Sequence, residues 1–122
     1  MKSKQSGFTL IELIMVIVIL GILAVVALPR FFDLGGEARA AAAQGVAGGL
    51  SSAAATNYAG RIVNAANGIA ITDCANVANA LQGGLPAGYV ITAAAIAANA
   101  TAVCTLTPPV GAAVTFSATG IL

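Results

Sequence analysis

One continuous apolar stretch, residues 8–28, constrains this chain more than any other feature of its sequence. As an α-helix the stretch would measure about 31 Å, which is enough to cross the hydrocarbon core of a bilayer. Glu12 is the single charged side chain within it. Because a charge at that depth costs roughly 2.5 to 3.5 kcal/mol on insertion scales, we expect a cation to meet this carboxylate. The sequence therefore predicts a membrane-spanning helix in which Glu12 is a docking point.

The residues that flank the stretch predict its orientation. Lys2 and Lys4 precede it, and basic residues favour the cytoplasmic side, so the rest of the chain is expected to cross the membrane. The apolar core of a secretory signal peptide is shorter, about 7 to 15 residues, and ends in a small-residue cleavage site. Here Pro29-Arg30 follows directly. We therefore expect an inserted helix whose amino terminus stays in the cytoplasm.

A pattern of residues overlaps this stretch: Gly7, Phe8, Glu12, Gly21 and Pro29, behind a short basic leader. The pattern resembles the processing motif of type IV pilin precursors. The resemblance implies that a prepilin peptidase cuts between Gly7 and Phe8 and methylates the new amino-terminal Phe8.

The resemblance also implies four segments. Residues 1–7 are a leader, residues 8–28 are the transmembrane and filament-core half of a long helix, and residues 29–58 are its amphipathic second half. Residues 59–122 are a small globular head with a disulfide. The implied fold class is α+β, the pilin fold, in which the long hydrophobic helix packs against a small C-terminal antiparallel sheet of about three to four strands.

The same resemblance supplies a partner for Glu12. After cleavage Phe8 has a free amine, which is cationic. In one straight helix that begins at Phe8, the two residues are about 6 Å apart along the axis, so the amine of a neighbouring subunit is the expected partner. Such a pair would set the register between subunits. The alternative is that Glu12 is a first-turn acid favoured by the helix dipole.

The long helix is predicted to have weak points. Pro29 removes a backbone hydrogen bond, and Gly35 and Gly36 weaken the helix again, so with Gly21 they predict a kink or local melting during assembly. Beyond them, apolar residues recur at helical spacing and predict a stripe that faces the sheet. The stripe is Val46, Leu50, Ala53 or Ala54, and Tyr58.

The head is predicted to contain one short helix and three strands. Turn-forming residues make 59–70 an irregular connector, with a short strand at 68–72. Residues 73–82 are predicted to be a helix capped by Thr72 or Asp73. The strand-like runs, read as an antiparallel meander, are residues 88–96, 102–106 and 113–118.

The two cysteines of the protein, Cys74 and Cys104, both follow the apolar stretch. On the exported side an even pair favours a disulfide, and the sequence has no His to complete a metal site. The alternative is two free buried thiols. By the resemblance, the disulfide fastens the C-terminal part of the head.

The head is nearly free of charge, since only Arg61 and Asp73 are charged after Arg39. We interpret this as a surface that neighbouring subunits or glycans cover, with Asn99 in the triplet Asn99-Ala100-Thr101 as a candidate glycan acceptor. The alternative is compositional drift toward Ala and Gly.

Composition argues against several function classes. Without His, and with no motif for nucleophilic catalysis or phosphate binding, we expect neither an enzyme nor a cofactor. One carboxylate in the head, Asp73, predicts no metal site. The predicted mature protein has three Arg and four acidic side chains, so no nucleic acid partner is expected.

The resemblance implies a major or major-like structural subunit of a type IV pilus. The subunit would be stored in the inner membrane and polymerised by the pilus assembly machinery into an extracellular homopolymer for adhesion, motility or biofilm, with a host or surface glycan as a candidate target. Residues 31–34 and 88–92 are similar to the mannose-sensitive haemagglutinin class of pilins. The alternatives are a pseudopilin of type II secretion and, in another class, a bitopic membrane protein with an outer ligand-binding domain.

Overall fold

A computed structural model describes residues 6–122 of the protein, without the side chains of residues 29–34. The architecture is the predicted α+β arrangement, a long N-terminal helix followed by a short helix and a small sheet. The three strands are antiparallel neighbours in the order β1-β2-β3. The elements are α1 (Leu10–Val63), a 3-10 helix (Cys74–Ala80), β1 (Val90–Ile91), β2 (Thr101–Thr107) and β3 (Val114–Thr119).

The protein divides into two compact units, Met1–Gly36 and Glu37–Leu122. In the first unit, the segment Leu10–Leu28 of α1 is long and apolar enough to cross a membrane, and none of it is buried within the structure. A helix that is apolar on every side needs lipid or other protein around it. Every residue of Leu10–Leu28 is exposed.

The second unit is built around one face of α1. Ala43, Ala47, Leu50, Ala54 and Asn57 are buried there, and their spacing of four, three, four and three residues places them on one side of the helix. The predicted stripe is therefore confirmed for Leu50 and Ala54, which are buried, whereas Val46 and Tyr58 are only half-buried. The buried residues from the rest of the unit that complete this core are Ile71, Cys74, Val77, Ile96, Cys104, Leu106, Phe116 and Ala118.

Helix α1 extends five residues beyond the predicted boundary at residue 58, to Val63. Gly60, predicted to lie in the connector, is helical and its carbonyl accepts a hydrogen bond from Asn64 N at 3.0 Å. The helix continues because two side chains near its end, Asn57 and Arg61, donate to the Ile69 and Gly68 carbonyls of the following loop.

The predicted weak points are all helical in this structure: Gly21, Pro29, Gly35 and Gly36 lie within α1. Melting or kinking at these residues during assembly stays a prediction. For Gly45 and Gly48, an added Cβ would meet nothing within 4 Å, so no other segment among the described residues packs closely against these glycines.

The sheet matches the prediction at two strands and differs at the first. β2 and β3 lie within about a residue of the predicted runs, and their register pairs Cys104 with Phe116. The run 88–96 was predicted as one strand, which is wrong, because only Val90–Ile91 pairs with β2. After Thr92 the backbone leaves the sheet and bonds to another segment, with Ile96 N donating to Thr72 O at 2.8 Å.

The predicted short helix is present as a 3-10 helix that begins at Cys74. Asp73 is its cap: the Asp73 carboxylate accepts from Ala75 N at 2.8 Å, and the Asn76 side-chain oxygen accepts from Asp73 N at 3.0 Å. This reciprocal pair satisfies backbone donors at the start of the helix. The short strand predicted at 68–72 is reduced to a single bridge between Ile71 and Ile121.

Candidate processing and assembly site

The start of α1 is organised by two residues, Thr9 and Glu12. The Glu12 backbone N–H donates to Thr9 Oγ1 at 3.4 Å, and the Thr9 backbone N–H donates to Glu12 Oε2 at 3.0 Å. This arrangement is a capping box, in which two unpaired backbone donors of a helix start are satisfied by each other's side chains. The first backbone bond of the helix, from Leu13 N to Thr9 O at 3.2 Å, fixes the same turn.

The capping box turns the Glu12 carboxylate back toward the amino terminus. Oε2 accepts a hydrogen bond from the Thr9 N–H. Oε1 has no hydrogen-bond partner among the described residues, so it can accept from another donor. The carboxylate therefore lies where both interpretations of Glu12 require it. Pairing with an amine and a favourable interaction with the helix dipole each need a carboxylate at the amino-terminal turn. Sequence reasoning missed the box, although Thr9 followed by Glu12 three residues later is its signature.

The predicted cleavage site lies directly before this turn. Gly7 and Phe8 are not helical, and Phe8 is exposed over 88% of its surface. Exposed, non-helical backbone is the kind of segment that a peptidase can bind and cut. Lys2 and Lys4 of the predicted leader lie outside the described residues. The residues that line one shallow, open depression here are Ser6, Gly7, Phe8, Thr9 and Glu12.

Phe8 lies outside the helix that contains Glu12. The axial separation of about 6 Å assumes that the helix begins at Phe8, but α1 begins at Leu10. The carboxylate also reaches back to the N–H of Thr9, the residue that follows Phe8. The axial distance in a straight helix therefore does not apply to Phe8, and on distance alone the Phe8 amine of the same subunit could also pair with Glu12.

In the head, Cys74 and Cys104 form the predicted disulfide, with Cα atoms 5.7 Å apart and a sequence separation of 30. Both are buried, and the bond joins the first residue of the 3-10 helix to the centre of β2. It therefore links the sheet to the segment that follows α1.

The candidate glycan acceptor, Asn99, lies in an exposed turn with a φ of 60°. Its side-chain oxygen accepts from the Tyr58 hydroxyl at 3.2 Å, and its backbone N–H donates to Gly120 O at 2.8 Å. The Thr101 hydroxyl of the same triplet shares a hydrogen bond of 3.0 Å with the Thr119 hydroxyl. Glycosylation at Asn99 stays a prediction.

Charged and metal-binding groups are sparse in the head. Asp73, its one acidic side chain, is engaged as the cap of the 3-10 helix. Within the part of the protein that the structure describes, no three His, Cys, Asp or Glu residues come together as a metal site would require.

Comparison with known proteins adds to this geometry. The family described as the prokaryotic N-terminal methylation motif matches residues 2–28. The fimbrial protein EcpC of Eikenella corrodens is 45% identical over 76 residues, which cover 59% of this chain and 50% of that protein. The type IV major fimbrial protein FimA of Dichelobacter nodosus is 47% identical over 57 residues, covering 47% of this chain and 36% of that protein.

A third relative, the fimbrial protein of Moraxella nonliquefaciens, is 47% identical over 55 residues, 45% of this chain and 36% of that protein. The chain thus spans half or less of the length of these relatives. No solved structure matches it significantly. The methylation motif and the fimbrial relatives therefore make this chain similar, over part of its length, to type IV pilins.

Proposed function

We propose that this protein is a major or major-like structural subunit of a type IV pilus. The observation that carries the proposal is the methylation motif over residues 2–28, whose Gly7-Phe8 bond precedes the helix in an exposed segment. The relatives named as fimbrial proteins support a filament subunit. The proposed role is mechanical and needs no catalytic group. The assignment to the mannose-sensitive haemagglutinin class stays a finer prediction.

The apolar half of α1 suits a subunit that moves between two environments. Leu10–Leu28 is unburied within its own subunit, so it requires lipid in the membrane or copies of itself in a filament. Because both surroundings are apolar, transfer between them exposes little apolar surface to water. We infer storage in the inner membrane followed by polymerisation on the cell surface.

In this proposal, Glu12 makes the transfer from membrane to filament specific for one arrangement of subunits. Cleavage after Gly7 creates a cationic amine on Phe8, and Glu12 Oε1 can accept from it while Oε2 keeps its bond to the Thr9 N–H. Inside a bundle of apolar helices the effective dielectric is low, so this attraction is much stronger than in water. Removing one partner of a buried pair costs about 3–5 kcal/mol, because the other charge is left uncompensated. We propose that the amine comes from a neighbouring subunit, because only a pair between subunits would set their register.

The first experiment determines the mature amino terminus and the effect of Glu12. Mass spectrometry of purified filaments should show N-methylated Phe8 as the first residue. Glu12→Gln should abolish or strongly reduce surface filaments while the subunit remains in the membrane. Glu37→Gln, which removes the exposed glutamate at the start of the second unit, is the matched control and should leave filaments intact.

The same experiment separates the alternatives. A bitopic protein with an outer ligand-binding domain would retain residues 1–7 and tolerate Glu12→Gln, and either result would contradict the pilus proposal. A pseudopilin of type II secretion would be processed at Gly7 in the same way. It would be recognised by loss of protein secretion, rather than loss of long surface filaments, when the protein is deleted.

The remaining partners follow from the same proposal. Prepilin peptidase would act on the Gly7-Phe8 bond, and the pilus assembly machinery would extract the subunit from the membrane. A host or surface glycan is the proposed target of the filament. Binding of purified filaments to a glycan array tests that target. If the filaments bind no glycan more strongly than they bind the bare array surface, the proposal of a glycan target is wrong.

A further inference from the structure

The loop after α1 contains the only Asn-Gly dipeptide of the sequence, Asn67-Gly68. Both residues are exposed to solvent. An asparagine followed by glycine is chemically special, because the backbone nitrogen of the next residue can attack the side-chain amide and glycine has no side chain to obstruct that attack. The other asparagines in the sequence are each followed by a residue with a side chain.

The two reacting groups are free in the structure. The Asn67 backbone N–H donates to Asn64 O at 2.8 Å, but among the described residues neither the Asn67 side-chain amide nor the Gly68 N–H makes a hydrogen bond. The next N–H along the backbone, that of Ile69, is bound by the Asn57 side chain at 2.8 Å. The Gly68 nitrogen, the nucleophile of this attack, and the Asn67 amide, which contains the electrophilic Cγ, are therefore both without hydrogen-bond partners among the described residues.

The single cation of the head lies beside this loop. Arg61 Nη1 donates to the Gly68 carbonyl at 3.5 Å, and the Arg61 Nε donates to Leu122 O at 3.2 Å, so the guanidinium is held in place. A fixed positive charge favours the anionic form of the attacking Gly68 nitrogen. It would also attract a carboxylate formed at residue 67.

We propose that Asn67-Gly68 is a site of spontaneous covalent modification, deamidation through a succinimide. The Gly68 nitrogen loses its proton to hydroxide and bonds to Cγ of Asn67. The bond between Cγ and Nδ2 then breaks, and ammonia leaves after taking a proton from water. Water opens the ring at either carbonyl, which gives aspartate or isoaspartate, and no oxidant or reductant takes part.

The product changes the electrostatics of the head. The side chains of Arg61 and Asp73 balance each other in residues 59–122, so a carboxylate at residue 67 makes this segment net negative. In the isoaspartate product the backbone is one methylene longer, within a loop whose next residue is held by Asn57. Every copy that reacts would carry this charge, whether or not it is assembled in a filament.

The test uses the purified full-length protein in detergent micelles, incubated in mildly alkaline buffer at physiological temperature. Peptide mass spectrometry follows the small gain in mass that occurs when the side-chain amide is converted to a carboxyl group. Asn79, which is also exposed but is followed by Ala80, is the internal reference. The modified fraction at Asn67 should rise with time and exceed that at Asn79 several-fold, with isoaspartate detected by enzymatic methyl transfer.

Asn67→Gln provides a variant that leaves Gly68 in place, because the longer side chain must close a larger ring and reacts more slowly. It should suppress the acidic form that appears in isoelectric focusing of the aged wild-type protein. Gly68→Ala is unsuitable, since its Cβ would overlap the Asn57 side chain. If Asn67 stays at the level of Asn79 while a synthetic peptide of residues 62–73 deamidates in the same buffer, the folded loop protects it and the proposal is wrong.

Discussion

Asn57 and Ile69 are joined by a closed pair of hydrogen bonds. The Asn57 side-chain nitrogen donates to the Ile69 carbonyl at 2.9 Å, and its oxygen accepts from the Ile69 N–H at 2.8 Å. Asn57 is the one buried polar residue among those that the structure describes, with 9% of its surface exposed. One side chain therefore satisfies both backbone groups of a residue in the loop that follows α1.

We predict that Asn57→Ala destabilises the head, because it leaves a partly buried backbone donor and acceptor unpaired. The expected loss is about 1–3 kcal/mol in the free energy of unfolding. Urea denaturation followed by the fluorescence of Tyr58 and Tyr89 measures it, since both tyrosines lie in the second unit. Asn79→Ala, at an exposed position, is the control and should stay within about 0.5 kcal/mol of wild type. Equal stability of the two variants would contradict this account.

Glycine at position 68 is predicted to be required both for its backbone angle and for its lack of a side chain. Gly68 has a φ of 77°, and an added Cβ would overlap Asn57 Oδ1. Gly83 has a φ of 87°, but a Cβ there would meet nothing within 4 Å. Gly83→Ala should therefore cost only the left-handed backbone strain, about 1–2 kcal/mol.

Gly68→Ala should cost more than Gly83→Ala in the same urea titration, because it adds a clash with Asn57 to the strain. The double variant Asn57→Ala/Gly68→Ala tests the cause. The two substitutions should be less than additive, since removing the Asn57 amide removes the clash. Strict additivity would show that the Asn57 side chain is not what excludes a Cβ at this position.

The disulfide is predicted to supply a large share of the stability of the head. In the chain-entropy model, closing a loop of about 30 residues stabilises the folded state by about 3–4 kcal/mol. The Cys74→Ala/Cys104→Ala variant should lose roughly that amount in the tyrosine-monitored titration. Because both cysteines are buried, the wild-type head should resist a mild reductant until urea unfolds it. Rapid reduction of the native protein would contradict that expectation.

The capping box is predicted to hold the first turn of α1 together. Thr9→Val keeps the shape of the side chain but removes the Oγ1 that accepts from the Glu12 N–H. Losing an N-cap of this kind costs about 1 kcal/mol, so amide exchange at Glu12 should accelerate about fivefold in detergent micelles. Thr9→Ser, which retains the hydroxyl, should exchange like wild type. An unchanged rate in Thr9→Val would show that the bond does not stabilise the turn.

The parts of the molecule that could be predicted from sequence depend on local patterns. The apolar run predicts the first half of α1, although the helix begins at Leu10 rather than at Phe8. The disulfide followed from an even pair of cysteines, and the two long strands from alternation of apolar and polar residues. Each of these signals lies within a short window of sequence.

The features that were missed depend on contacts between distant segments. The first strand shrinks to two residues because residues 94 and 96 do not pair with β2. Instead, the Ala94 carbonyl accepts from Cys74 N, at the start of the 3-10 helix, and Ile96 N donates to the Thr72 carbonyl just before it. Helix α1 passes Gly60 because Asn57 and Arg61 bind carbonyls of residues 68 and 69. No local propensity encodes these partners, so the helix end and the strand length could not be read from the sequence.

The buried apolar side chains among the described residues begin at Ala43, so residues 6–28 contribute none of them. The residues that form the core and the residues that carry the methylation motif are thus separate in the sequence. Substitutions in the core of the second unit therefore leave the motif unchanged, and we expect the motif and its apolar helix to retain their properties when they are joined to another folded domain.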